Sequence, residues 1–309
     1  EDPETGRVGF CVVLGEFGEQ FALGLYDGAR GLDVLESIQT GEVDPETPGA
    51  IFIMDCLMAS FEDRRFLSKE DMDVMGKLGL RFRGSSAWPQ FRSYRPGYFP
   101  WQLTGAEARR LTVALRQALE VAMRFREDGA LLNPPDGDED IYLVRKSRGG
   151  GKGEEWADSW MELPEDEGLT HTFEPANPGR LESILERISE RGGCWQIGQT
   201  HIPNPVREGD ERPYFPRATL IIEEGSGLII GRDMESPPWE RFGLIDTFLL
   251  AVERTGRLPD EIHLSEPLLH LGLMETARHL DITIRDFEEL PTVEAAFKSM
   301  IDWMRDGRT

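Results

Sequence analysis

The chain has 309 residues and carries 57 Asp and Glu against 34 Lys and Arg, a formal net charge of −23. That length suits two domains of ordinary size, each with its own core. The acidic excess runs through both halves and excludes the strongly basic footprint of a general nucleic-acid binder. No apolar run approaches the roughly 18 residues that a membrane span requires.

Cys11, Cys56 and Cys194 are widely spaced and form no C-x-x-C pair. Neither a disulfide framework nor a zinc ribbon is expected, and a reducing cytoplasm is the natural setting. No basic-then-apolar signal segment opens the chain. It starts at Glu1 instead of Met, so the natural N-terminus is expected upstream. Nothing in the sequence asks for a cofactor.

In chain order, Val8, Phe10, Val12 and Leu14, then Phe21, Leu23 and Leu25, alternate around a Gly15–Gly18 turn. They predict a hairpin with one buried face. A short helix is expected around Leu32–Ile38, and the apolar run Ile51–Met58 reads as a buried strand. Ser68 with Asp71, and Thr104 with Glu107, stand at capping-box spacing. The second pair opens a helix to about Asp128, in which Leu111, Leu115, Ala118, Leu119, Ala122 and Met123 follow a helical period. Ile141–Val144 predicts a strand. Arg145–Gly153 reads as a flexible basic turn without phosphate-loop spacing, and the acidic Pro164–Gly168 as a domain boundary. The predicted domains are 1–165, of α+β type, and 166–309.

The second domain has the clearer pattern. A helix at Gly179–Glu190 precedes strands at Cys194–Ile202, Ala218–Glu223 and Leu228–Arg232. A helix at Leu244–Thr255 ends at Gly256, a good C-cap. Then come a strand at Glu261–Leu264, a helix opened by Pro267, a strand at Asp281–Arg285 and a helix at Thr292–Arg305. The order is β-β-β-α-β-α-β-α, and its ending implies parallel strands with helical crossovers.

Several residues in this stretch have the order and spacing of the catalytic core of transposases and retroviral-type integrases. The run Trp195 to Thr200 follows W-x-x-D-x-T. Glu223, Ser226, Ile229, Ile230 and Gly231 follow D-x-x-S-R-x-I-V-G. Gly256, Pro259, Ile262 and His263 follow G-x-x-P-x-x-I-H-S-D, and Glu294 falls at the final Glu. The second domain therefore resembles a ribonuclease-H-like α/β core. Gly198 and Ser265 stand where that family has its two Asp residues. Two-metal phosphoryl transfer needs a carboxylate cluster, so the resemblance implies a degenerate core. Glu294 is then the one candidate catalytic acid, and Glu223, Asp246, Glu266 and Glu294 are the candidate metal ligands. The whole chain also resembles an uncharacterised bacterial family with an N-terminal domain of unknown function, on the segment Phe91 to Trp101.

Residues 74–106 contain no acid. Arg81, Arg83, Arg92, Tyr94, Arg95 and Trp101 interleave cation and aromatic ring there, which suits an anionic ligand, an acidic peptide or stacked bases. Aromatics that seal a core, with arginines pairing to the protein's own carboxylates, give the same pattern. His263, Glu266 and His270 superficially suggest zinc, but Pro267 separates a strand histidine from a helical one. No nucleophile elbow is present.

The sequence thus points to a non-enzymatic cytoplasmic binding or regulatory protein. Its expected partner is a protein or an anionic ligand at Arg81, Arg83, Arg92, Tyr94, Arg95 and Trp101. The net charge argues against nucleic acid, although residues 77–101 could meet it, and no membrane is expected. The alternatives are a divergent metal-dependent nuclease and an acidic DNA-mimicking inhibitor.

Overall fold

The computed structural model of the chain describes residues 1–15, 18, 21–44, 47, 49–137, 141–148, 155–162, 177, 179–238 and 243–306. It is a mixed α/β protein with several sheets, and it divides into two units, Glu1–Glu167 and Gly168–Thr309. No helix among the described residues is long and apolar enough to cross a membrane.

In the first unit, strands β1 (Gly9–Leu14), β2 (Phe21–Asp27), β3 (Cys56–Glu62) and β4 (Trp88–Tyr94) form an antiparallel sheet in that order. Helices α1 (Gly28–Gln39), α2 (Ala50–Ile53), α3 (Lys69–Lys77) and α4 (Gly105–Glu127) surround it, and β5 (Ile141–Arg148) pairs with β6 (Glu155–Glu162) as a separate hairpin. Side chains alternate across a strand, and β2 buries both of its faces. Leu23 and Leu25 pack under Leu111 and Ala114 of α4, while Tyr26 packs with Leu32 and Leu35 of α1. Both capping boxes form, with Ser68 and Asp71 opening α3 and Thr104 and Glu107 opening α4.

Four expectations need correction. The β1–β2 hairpin was expected to bury one face, whereas β2 buries both. Ile51–Met58 is not one strand, because Ala50–Ile53 is helical and the strand begins at Cys56. A short apolar run satisfies either period. The Arg/aromatic segment, read as ligand surface or core seal with no strand expected, supplies the edge strand β4. Arg145–Arg148 prolongs β5 instead of turning, and β6 was not anticipated. The remainder of the basic turn and the expected boundary at Pro164–Gly168 lie outside the described residues.

In the second unit, α5 (Gly179–Arg187) and the two-residue β7 (Glu190–Arg191) lead into β8 (Cys194–His201), β9 (Arg217–Glu223) and β10 (Ile229–Glu235). There follow α6 (Leu244–Thr255), β11 (Arg257–Leu258), β12 (Glu261–Leu264), α7 (Pro267–His279), β13 (Thr283–Asp286) and α8 (Pro291–Asp306). The five-stranded sheet runs β10-β9-β8-β12-β13. Its first three strands are antiparallel, and β12 and β13 run parallel to β8.

Gly256 closes α6 in the left-handed conformation, φ 70°, which a residue without Cβ adopts freely. One face of the sheet presents Trp195, Ile197 and Ile221 to α6 and α7. The other presents Ala218, Leu220 and Ile222 to Leu290, Val293 and Phe297 at α8. Trp195 is fully buried and meets Phe248 edge-on at 5.7 Å.

Candidate functional site

The first unit contains a cavity of about 870 Å³, bounded by β1, α1, α4 and the β5–β6 hairpin. That volume is within the range of small-molecule sites, which are mostly apolar with a few fixed polar groups. Val12, Leu35, Val121, Ile141, Trp156 and Trp160 supply apolar wall. The hairpin is held over the cavity by named contacts. Phe10 and Tyr142 meet edge-on at 5.4 Å. Arg145 donates to Gln117 and Glu120 of α4 and to Asp158 of β6, and Arg124 of α4 also pairs with Asp158. The Arg124 and Arg145 hydrogen bonds together bring the Asp158 carboxyl down to about 2.

Arg110 is the cavity's most constrained cation. It pairs with Asp27, and its Nε lies 3.3 Å from Asp2 Oδ2. That distance makes an ion pair, and the buried Nε–H forms no hydrogen bond. A buried donor without a partner costs about 1–3 kcal/mol.

The sequence-predicted surface divides. Arg92 makes a bidentate pair with Asp71, at 2.6 and 2.8 Å, with both side chains largely buried. Burial raises the Asp71 carboxyl, but hydrogen bonds from Arg92, Gln102 and Ser68 outweigh it and hold it at about 2. Arg95 pairs with Glu107 at 2.8 Å, and Ser93 donates to the same carboxylate. Tyr94 packs beside Tyr26 and Cys56. Trp101 exchanges two backbone hydrogen bonds with Ser93, which folds the segment back on itself. Arg81 and Arg83 are exposed. The acids that neutralise Arg92 and Arg95 lie just outside the acid-free stretch, on the two capping boxes.

The candidate metal ligands of the second unit are also separated. Glu223 pairs with Arg257 and accepts from Ser226. Asp246 faces Arg180 at 3.5 Å. Glu294 accepts the Leu290 N–H at 2.9 Å, an N-terminal cap for α8. Glu266 and Glu294 line one pocket of about 520 Å³ with Ser265. Burial raises the Glu266 carboxyl, opposed by a hydrogen bond from the Gln199 backbone and by Arg217. His270 turns to Asp286, with Nδ1 2.9 Å from both carboxylate oxygens, so H-x-x-E-x-x-x-H does not converge.

A different group does converge. Among the described residues, Cys194, Glu224 and His263 place potential ligand atoms within 4.8 Å of one another. Burial first, then the Glu224 hydrogen bond, pushes the Cys194 thiol up to about 12. Sequence reading missed this group because strand pairing, not sequence spacing, assembles it: His263 stands opposite Gln196 in the β12–β8 register, and Glu261 opposite Cys194.

Residues 1–145 match a domain of unknown function (DUF7309), and residues 180–301 match a second one (DUF6930). The chain joins two domains of unknown function. A comparison with curated proteins found no match.

Proposed function

We propose that the chain is a cytoplasmic binding protein whose first unit takes up a small molecule with an apolar body and an anionic or acceptor end. The observation that carries this reading is the 870 Å³ cavity, with an aromatic wall and the Arg110 side chain in its lining. In this proposal the second unit is a ribonuclease-H-like scaffold. Its strand order and directions support that assignment, as do α6 and α7 on one face and α8 on the other. The absence of two-metal chemistry is supported by Gly198 and Ser265 at the family's Asp positions, and by the engagement of Glu223, Asp246 and Glu294 elsewhere. The three unpaired cysteines suit a reducing compartment.

The test is titration of the full chain with anilinonaphthalene sulfonate, an apolar fluorophore with an anionic end. A ligand of roughly 20 non-hydrogen atoms at about 0.3 kcal/mol each gives a Kd on the order of tens of micromolar. The expected result is one saturable site that weakens in Val121→Trp, whose indole takes up part of the cavity. Binding that is non-saturable, or that is equal in Val121→Trp, overturns the proposal.

A second reading rests on one observation, the shared pocket of Glu266 and Glu294. A divergent metal-dependent nuclease would bind Mn²⁺ there and lose it in Glu294→Gln. Calorimetry on the full chain distinguishes the two, since the binding-protein reading expects no such Glu294-dependent heat.

A further inference from the structure

We propose that Cys194, Glu224 and His263 form a site for a zinc-class divalent ion on the second unit. The three potential ligand atoms lie within 4.8 Å of one another, on three neighbouring strands or their ends. One sulfur, one imidazole nitrogen and one carboxylate oxygen is a borderline-soft donor set, which selects zinc or cobalt over magnesium or calcium.

The nitrogen–oxygen pair fits with small adjustment. His263 Nδ1 is 3.8 Å from Glu224 Oε2. A tetrahedral ion with bonds near 2.0–2.1 Å sets nitrogen and oxygen ligands roughly 3.3 Å apart, so the pair must close by about half an ångström. Glu224 is half-exposed, at 45%, and can make that movement. The exposed side also leaves room for water as a fourth ligand.

The surroundings give an independent argument. Metal-binding histidines almost always donate their second ring nitrogen to a carboxylate or carbonyl, which fixes the tautomer. His263 Nε2 lies 3.3 Å from Glu261 Oε2. Glu261 is held in turn by Arg285, with two hydrogen bonds of 2.9 Å. Gln196 donates to Glu224 Oε1 at 3.1 Å, which leaves Oε2 turned toward His263. The Phe287 ring lies 4.4 Å from the imidazole and packs against it. His263 and Glu224 thus each have a positioning partner.

Charge balances as well. Arg285 neutralises Glu261, so once the metal displaces the Cys194 proton to solvent, the ligands proper contribute one thiolate and one carboxylate, which match a divalent cation. The site lies in the second unit and rests on none of the cavity's features.

The test is titration of the reduced full chain with Co²⁺, read by the sulfur-to-cobalt charge-transfer absorption, followed by displacement with Zn²⁺. One equivalent of Co²⁺ should produce the band and Zn²⁺ should remove it. Cys194→Ser should lose the band and Cys11→Ser should keep it. Glu261→Gln should weaken binding 10- to 100-fold, the usual effect of removing such a partner. Glu224→Gln alters an exposed side chain. It should weaken binding at least tenfold, with the thermal midpoint of the metal-free protein unchanged. No band at stoichiometric metal, a band retained in Cys194→Ser, or unchanged affinity in Glu224→Gln overturns the proposal.

Discussion

Gly198 lies so close beneath Val293 that a Cβ built on it would stand 2.6 Å from Val293 Cγ1 and 3.4 Å from Phe297. The strand position that resembles the integrase family's first Asp is therefore closed over by α8. Any side chain there must displace the helix, and a carboxylate would be buried beside Val293 and Phe297, in the cluster that also holds Leu220 and Ile222. The departure from the family's pattern thus has a packing consequence as well as a chemical one.

Overpacking of this kind costs about 1–3 kcal/mol. Gly198→Ala should lower stability by that amount, and Val293→Ala should recover part of it in the double variant. Gly198→Asp should cost more and should bring no Mg²⁺ binding. Urea denaturation midpoints of the four proteins, with calorimetry on the last, check both statements.

Asp71 has two roles. It completes the cap of α3, and it receives both arms of Arg92 across the gap to β4. Removing one partner of a buried pair strands the other charge, at about 3–5 kcal/mol. Asp71→Ala should therefore cost several times more than Ser68→Ala, which removes only a cap worth about 1 kcal/mol. Arg95→Ala should cost less than about 1 kcal/mol, because the Arg95 side chain is 52% exposed and its pair is screened. Denaturant unfolding of the three variants gives the ranking.

The same carboxylate makes the first unit acid-sensitive at low pH. Its folded value of about 2 lies below the ordinary 3.8. The unfolded chain therefore binds the proton more readily, and the contribution is complete above about pH 4 and lost as pH falls toward 2. A shift of that size corresponds to roughly 2 kcal/mol. Asp71→Asn should flatten this part of the stability profile, as followed by thermal unfolding across the interval.

His201 governs a milder range in the second unit. Burial first, and the Arg217 charge second, hold its imidazole down to about 4 against 6.5. Stability should be complete above pH 6.5 and decline as pH falls toward 4, by on the order of 2–3 kcal/mol. His201→Gln should remove that step while leaving the one below pH 4. A step that survives the substitution would assign it to another group.

Much of the second unit is legible from residues, and the reasons are local. Gly256 ends α6, Pro267 opens α7, and the strand-length run Ala218–Glu223 marks β9, so each boundary is set by a few neighbouring positions. The first unit is harder where two periods fit the same residues, as at Ile51–Met58. It is also harder where arginines and aromatics hide a strand: the alternation of Trp88–Tyr94 reads as ligand chemistry until Arg92 is seen to meet Asp71. The cavity and the Cys194–Glu224–His263 group could not be read at all. The first depends on where the β5–β6 hairpin packs, and the second on which strand lies beside β8.

The most direct measurement is a crystal structure of the full chain grown with anilinonaphthalene sulfonate. One fluorophore is expected between α4 and the β5–β6 hairpin, its rings against Trp156 or Trp160 and its sulfonate toward Arg110. A cavity filled by the protein's own side chains, with the fluorophore bound elsewhere or not at all, would contradict that expectation.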